Sequence, residues 1–310
     1  MEFIRFSNEW IEKLKSSVDI VEIIGRHVDL KPSGRNFVGL CPFHDEKTPS
    51  FSVNQERQFF YCFGCNTGGN VINFIMLIKN LSFPEAVRFL ARDSGISLPR
   101  VSPQQRRQEK KKQMLRSINE EAARYFYRNL RIPAGEKARQ YLKKRGIGED
   151  LARQFFLGYA LDSWDGLVRF LEKKEIDLKA AQEGGLIIKG EKGYFDRFRQ
   201  RIIFPICDHL GRFVGFGGRS SVPGQPKYLN TPRTALFNKG STVYGLNWSK
   251  DAIKKRNQVI VVEGYTDYIS LFAKGQQNVV ALLGTAFSPA HAKLLRRFAS
   301  NAVVAFDGDQ

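Results

Sequence analysis

Residues 258–275 read QVIVVEGYTDYISLFAKG. The apolar run Val259–Val262 has the pattern of a buried strand that finishes on a carboxylate, Glu263, and the stretch from Tyr265 predicts a helix stopped by Gly275. The same rhythm repeats downstream. NVVALLG (278–284) is a second strand, SPAHAKLLRRFAS (288–300) a helix with Ser288 as N-cap and Pro289 at N1, and NAVVAFD (301–307) a third strand. Strands alternating with single helices predict a parallel sheet.

In an open parallel sheet, ligands bind beyond the carboxyl ends of the strands. Strands 259–263 and 302–307 therefore aim Glu263, Asp307 and Asp309 at one crevice, with Asp267 four residues after Glu263. Two carboxylates about 4 Å apart repel by about 4 kcal/mol at an effective dielectric of 20, so this arrangement calls for a cation. Donor sets made only of oxygen select Mg²⁺ or Mn²⁺ over zinc. Taken singly, each acid has a plainer reading: Asp307-Gly308 suits a turn, and Asp267 suits the first turn of a helix. The metal reading rests on Glu263 together with the Asp307–Asp309 pair.

These acids sit in a basic chain. Its 310 residues hold 49 Lys and Arg against 31 Asp and Glu, a formal net charge of +18. Such an excess favours a polyanionic partner, because Lys and Arg that neutralise phosphates release condensed counterions. Hydrophobic residues at 42% and aromatics at 12% suffice for folded cores of two or three domains. No apolar run approaches the roughly 20 residues needed to span a bilayer, and charges interrupt the N-terminus every few residues, so no membrane partner or signal peptide is expected. The expected location is cytoplasmic, and disulfides are not expected there. Cys207, in the apolar run RIIFPICDH, reads as a buried small side chain.

Upstream, residues 8–28 predict two short helices broken near Ser16–Ser17. FVGL, SFSV and QFFYCF within 35–63 read as strands of a small sheet, followed by helices over 70–79 and 83–93, the second with Ser82 as N-cap and Glu85 at N3. This first unit, 1–98, closes near Leu98. Residues 99–116 hold seven basic residues and one acid, and predict a basic linker or the exposed start of a helix. Helical patterns fill about 117–182, and strands with glycine-rich turns fill 185–245. The parallel segment 257–310 completes the chain as given.

The strongest local signal is Cys41-x2-His44 with Cys62-x2-Cys65. Two tight turns can each present two ligands to one tetrahedral ion, and three thiolates with an imidazole are the set that Zn²⁺ prefers. With no open position the site is structural, and its binding energy becomes folding energy for a small sheet. Unrelated buried cysteines or a redox pair would not explain the matched spacing. Phe59, Phe60, Tyr61 and Phe63 alternate along one strand, so some face outward, where they could stack on single-stranded bases.

Divalent ions held by carboxylates inside a basic protein suggest phosphoryl transfer. The basic residues for it would come from DRFRQR (Arg199, Arg201), GFGGRS (Arg219), PKYLN (Lys227) and FNKG (Lys239), although any one alone reads as a solvated charge. Together with CPFHDEKTPSF, YCFGCNTGGN, LFNKGSTVYGL, VVEGYTD and FDGD, these motifs occur in an order that resembles the bacterial replicative DNA primases over nearly the whole chain. The resemblance implies a zinc-ribbon domain, a mixed α/β basic subdomain over 117–245, and a Toprim-type parallel α/β sheet that is incomplete at 310. It implies Glu263, Asp307 and Asp309 as the Mg²⁺ site with Asp267 close by. It further implies that Arg145, Arg199, Arg201, Arg219, Lys227, Asn230 and Lys239 form a ridge for template and nucleotide. The implied reaction joins ribonucleoside triphosphates into a short RNA primer on single-stranded DNA. The family continues past FDGD with a further carboxylate pair, a helical subdomain and a domain that binds the replicative helicase, so the sequence is expected to be an N-terminal part. Two other readings stay open at this point. One is a Toprim nuclease or topoisomerase, with Tyr265 as the candidate nucleophile. The other is a zinc-dependent single-strand binder without catalysis.

Overall fold

The predicted break near Ser16–Ser17 is where the chain turns between its first two helices, α1 (Asn8–Ser16) and α2 (Ile20–Gly25). The structure is a computed structural model that describes residues 6–99, 102–220, 222 and 224–306. Asp19 caps α2, its carboxylate accepting from the amides of Val21 and Glu22. An antiparallel meander follows in chain order: β1 (Lys31–Ser33), β2 (Asn36–Gly39), β3 (Phe51–Asn54), β4 (Phe59–Cys62) and β5 (Gly68–Gly69). Two helices, α3 (Val71–Ile78) and α4 (Phe83–Asp93), close this unit, and α4 starts on the expected Ser82–Glu85 capping box. Alternation along β3 buries Phe51 and Val53, which join Phe60, Phe74, Leu14, Ile24 and Leu90 in one core. Neither β1 nor β5 is marked in the sequence. One contains Pro32 and the other is a glycine pair, so neither carries a strand-like side-chain pattern.

The chain divides into two compact units at Arg106/Arg107. That division lies inside α5 (Pro103–Arg131), a helix of 29 residues. The expected linker over 99–116 is therefore helical from Pro103, and Leu115 within it is buried. Its apolar stripe (Leu115, Ile118, Ala122, Phe126, Leu130) begins only where the basic run ends, so the periodicity that marks a packed helix is missing from most of 99–116.

The second unit continues with α6 (Glu136–Lys144), α7 (Glu149–Gln154), β6 (Gly158–Ala160), α8 (Gly166–Lys173), α9 (Leu178–Glu183), β7 (Ile187–Gly190), β8 (Gly193–Asp196), β9 (Arg201–Cys207), β10 (Phe213–Ser220) and β11 (Tyr228–Asn230). Strands β11-β10-β9-β6 form an antiparallel sheet, and β7-β8 is a separate hairpin. Every residue of β9 is buried, including Cys207. Its two faces feed different cores. Ile202, Phe204 and Ile206 pack with Tyr244, Tyr265, Tyr268 and Phe272, whereas Ile203 packs with Phe126, Leu167, Leu171 and Phe198.

The last segment bears out the α/β reading. After α10 (Leu246–Arg256) come β12 (Gln258–Val262), α11 (Tyr265–Ala273), β13 (Val279–Ala281), α12 (Pro289–Leu295) and β14 (Asn301–Val304), with parallel strands in the order β13-β12-β14. One detail differs. The apolar run Val303–Phe306 has the pattern of a buried strand, but Val303, Val304 and Phe306 are exposed, because β14 is an edge strand that pairs on one side only among the described residues. No helix among the described residues is long and apolar enough to cross a membrane.

Candidate functional site

The cysteine and histidine pairs converge. Cys41 and His44 follow β2, Cys62 ends β4, Cys65 lies in the turn before β5, and the four ligand atoms all stand within 4.8 Å of one another. Cys41 Sγ lies 3.9 Å from Cys65 Sγ, and Cys62 Sγ lies 3.8 Å from His44 Nδ1. A tetrahedral zinc with bonds of about 2.3 Å needs ligand separations of roughly 3.8 Å, so the donor set and its spacing both fit Zn²⁺. Phe43 N–H donates to Cys41 Sγ at 3.4 Å and Cys65 N–H to Cys62 Sγ at 3.5 Å, so each loop turns back onto its own thiol. Burial opposes ionisation of Cys62, but the Ser50 hydroxyl and the amides of Cys65 and Gly64 bring its thiol down to about 6.

Sequence reasoning missed the residue that ties these ligands together. Glu46 accepts from the amides of Cys41 (2.7 Å) and Ser50 (3.1 Å) and from the Ser50 hydroxyl, and its carboxylate lies 3.1 Å from His44 Nε2. The Ser50 hydroxyl and these amides hold the carboxyl of Glu46 below its ordinary value. The imidazole thus turns Nδ1 to the cluster and Nε2 to a carboxylate, the arrangement that fixes a metal-bound histidine. Gly64 permits this packing, since a Cβ there would stand 2.5 Å from His44 Nε2. The spacing CxxH-x-E carried the signal, but an acid among DEK reads as a surface charge. Of the strand aromatics, Phe60 is fully buried, whereas Phe59 and Phe63 are exposed.

In the second unit, three of the seven expected ridge residues come together. Arg219 on β10 lies opposite Tyr228 on β11, and its guanidinium stands 4.7 Å from the Tyr141 ring and 5.6 Å from the Tyr228 ring. Arg145, at the end of α6, lies 5.7 Å from the same Tyr141 ring, and Lys227 lies 6.0 Å from Tyr228. Arg219 Nε and Tyr141 Oη are both buried without a hydrogen-bond partner among the described residues. Tyr141 was read only as part of a helix, because nothing in the run KARQYLKK marks which face it takes.

The other four sit differently. Arg201 is buried, and its guanidinium donates to the carbonyls of Gly218 (3.2 Å) and Pro226 (2.9 Å) and to Gln225 Oε1 (3.1 Å), so it fastens the loop before Lys227. Asn230 is also buried, donating to Leu283 O at 2.9 Å and accepting from Tyr265 Oη at 2.8 Å. Lys239 begins a short 3-10 turn, Lys239–Ser241, that α12 clamps. His291 Nδ1 accepts from Ser288 N–H, so Nε2 carries the proton and donates to Lys239 O at 2.8 Å, while the Ser288 hydroxyl donates to Gly240 O at 2.6 Å. Arg199 lies apart from the tyrosine cluster, against Trp164 and Phe195.

Glu263 occupies the first position beyond β12 and is exposed, as is Asp267 in the first turn of α11. A Cβ on Gly264 would stand 2.9 Å from Asp267 Oδ2, so that carboxylate folds back toward the residue after Glu263. β14 pairs Val304 with Val261, and Ala305 N–H donates to Val261 O, a register that carries Phe306 level with Glu263. Asp307 and Asp309 lie outside the described residues. Tyr265 is buried against Phe204, with ring centroids 4.9 Å apart, and its hydroxyl is spent on Asn230, so it cannot serve as an exposed nucleophile.

Comparison with known proteins follows this division. Residues 6–106 match a CHC2 zinc finger, residues 125–250 the N-terminal domain of the DNA primase catalytic core, and residues 260–310 a Toprim-like domain. The chain is 47% identical to a DNA primase of Clostridium acetobutylicum, covering 100% of this chain and 52% of that protein. It is 42% identical to one of Halalkalibacterium halodurans, covering 98% and 51%. It thus spans about half the length of these relatives. Among solved structures it resembles the zinc-binding and RNA polymerase domains of the Aquifex aeolicus primase, at 36% identity and a TM-score of 0.60, covering 98% of this chain and 73% of that one. A DnaG primase catalytic domain bound to ssDNA matches at 34% identity with a TM-score of 0.61, over 65% of this chain and 63% of that one.

Proposed function

The chain belongs to the bacterial DNA primase family, and from that premise we propose that it provides the zinc-binding and nucleotide-joining front of a primase. The reaction is the template-directed joining of ribonucleoside triphosphates into a short RNA on single-stranded DNA. The observation that carries this reading is the cluster of Arg145, Arg219 and Lys227 around Tyr141 and Tyr228. Arg145 and Lys227 are its exposed cations, and Arg219 lies buried between the two rings, so the cluster offers concentrated positive charge beside aromatic faces to an anionic ligand.

Cys41, His44, Cys62 and Cys65 would hold one structural Zn²⁺. Glu263, with Asp307 and Asp309 completing the set and Asp267 alongside, would hold Mg²⁺ or Mn²⁺; Glu263 and Asp267 fit, being exposed oxygen donors at the carboxyl end of a parallel sheet. Such an ion, when bound, stabilises charge on the attacking and leaving oxygens of a phosphoryl transfer. The side chains of this chain do the rest. Arg219 and Lys227 grip phosphate, Tyr141 and Tyr228 flank the Arg219 guanidinium, and the His291–Ser288 clamp fixes the backbone that presents Lys239. Arg201 and Asn230 act one step back, through the Lys227 loop and through Tyr265.

The test is incorporation of labelled ribonucleotides on single-stranded DNA by the chain extended to the length of its relatives. Arg219→Ala and Lys227→Ala are expected to lower incorporation by about 10- to 1,000-fold, as the loss of charge-stabilising donors does elsewhere. Unchanged synthesis in both variants would remove the tyrosine-framed cluster from the reaction.

A further inference from the structure

The chain turns between β9 and β10 at residues 208–212, and the turn is closely bonded. The Asp208 carboxylate accepts from the amides of Leu210 (3.0 Å) and Arg212 (3.1 Å) and from the Arg212 guanidinium (2.8 Å), while the Gly211 amide donates to Asp208 O at 2.9 Å. The acid of this turn is therefore spent inside it. At the tip, Leu210 stands 59% exposed.

Cations converge on the turn from α5, from α10 and from the segment after α12. Lys250 of α10 donates to His209 O at 3.2 Å. Lys254 and Arg297 lie 5.7 and 5.8 Å from the Phe298 ring, which is 6.2 Å from the His209 ring. On the other side, Arg116 of α5 and Arg212 line one cavity of about 390 Å³, whose acid, Glu120, is paired with Arg124 at 2.7 Å. Burial holds the His209 imidazole below its ordinary value, and Arg297, Arg212 and Lys250 add to this against the pull of Asp208. Burial, with Arg212 adding, likewise acts against the charge of Arg116. Among the described residues Arg116, Lys250, Lys254 and Arg297 form no ion pair, so the crowded positive charge is left to an outside anion.

This surface lies away from both sites described above. Arg219 stands six residues along β10 from Phe213, about 20 Å. Glu263 follows the carboxyl end of β12, whereas Lys254 and Phe298 precede β12 and β14. Charge selects an anionic partner, and Leu210 selects its kind. An aliphatic tip offers a nucleobase no ring to stack on, but it suits an apolar side chain set among carboxylates.

We propose that the β9–β10 turn is a docking surface for an acidic segment of another protein. Arg116, Arg212, Lys250 and Arg297 take its carboxylates, and Leu210 receives an apolar side chain between them. The partner is held clear of the Arg145–Arg219–Lys227 cluster and of Glu263.

The experiment measures binding of a labelled peptide of repeated Glu-Asp-Leu, and of a Gln-Asn-Leu peptide of equal length, to the 310-residue chain. Wild type is compared with Arg116→Glu, Arg297→Glu, Leu210→Ser and Arg145→Glu, each checked for native circular dichroism and melting. The last changes the net charge as the first two do, but at the other end of the sheet. Arg116→Glu and Arg297→Glu should each weaken binding of the acidic peptide by about 5- to 50-fold, and Leu210→Ser by about 3- to 10-fold. Arg145→Glu should stay within about twofold of wild type, and the uncharged peptide should not bind. Wild-type affinity in folded Arg116→Glu and Arg297→Glu, an equal loss in Arg145→Glu, or no binding of the acidic peptide by wild type would overturn the proposal. A single-stranded oligonucleotide that displaced the peptide and lost affinity in the same two variants would assign the turn to nucleic acid and overturn it as well.

Discussion

The Tyr265 hydroxyl donates to Asn230 Oδ1 at 2.8 Å, and the Asn230 amide donates to Leu283 O at 2.9 Å. One buried side chain therefore bolts β11, in the antiparallel sheet, to both the helix that follows Glu263 and the strand end at Leu283. Gly217 on β10 makes room for it, since a Cβ there would stand 2.2 Å from Tyr265 Oη. Asn230 thereby ties the strand that bears Tyr228 to the segment that bears Glu263.

Tyr265→Phe leaves Asn230 Oδ1 buried without a donor and should cost about 1–3 kcal/mol in urea denaturation. Asn230→Ala should cost at least as much, since it strips partners from both Tyr265 and Leu283. A stability change within experimental error for both variants would show that the bolt carries no load.

Zinc removal should act on one unit alone. The core around the cysteines is drawn entirely from residues before 100, from Leu14 to Ala91, so chelation should abolish amide protection there and leave β9 and β12 protected. Hydrogen exchange before and after chelator reads this directly. Glu46→Gln weakens the hold on His44 and on the Cys41 amide and should lower zinc affinity by about 10- to 100-fold in a chelator competition. Retention of wild-type affinity would remove Glu46 from the metal site.

Asp196 gives a pH signature. Burial pushes its carboxyl up to about 6, against the two α8 amides that favour the charged form. The unfolded aspartate titrates near 3.9, so between about pH 4 and 6 the native state carries the extra proton. Stability from this group is complete below that window and falls as pH rises through it. Wild type minus Asp196→Asn should therefore drop by on the order of 2–3 kcal/mol from pH 4 to 7. A difference that stayed level, or rose, would mean that Asp196 is charged throughout.

The order of strands and helices in the last 54 residues was legible because buried parallel strands announce themselves as apolar runs between helices, and the zinc set because its spacing is local. What the sequence hid was of two kinds. Some elements carry no side-chain pattern, such as β1, β5 and the basic half of α5. Other residues owe their role to distant partners. Arg201 and Asn230 also hydrogen-bond to carbonyls of other segments, and Tyr141 joins Arg219 only once α6 packs beside β10. Charge shows in a sequence, whereas the direction in which a charged group is spent does not.

Among the exposed cations, the ridge should show its hand through salt. Arg145→Ala and Lys227→Ala should each reduce the dependence of log affinity for single-stranded DNA on log salt by about 0.7, whereas removing a surface cation elsewhere, such as Lys13, should leave it unchanged. Equal slopes for all three would place the strand away from the tyrosine pair.

The most direct test compares wild type and Glu263→Gln in the chain extended to the length of its relatives. RNA synthesis on single-stranded DNA and strand affinity are measured on the same samples. Synthesis is expected to fall by about 100-fold or more, with strand affinity held within about twofold, if the carboxylate acts as proposed, by holding the divalent cation for the reacting phosphate rather than by contacting the template. Wild-type synthesis by Glu263→Gln would contradict the account.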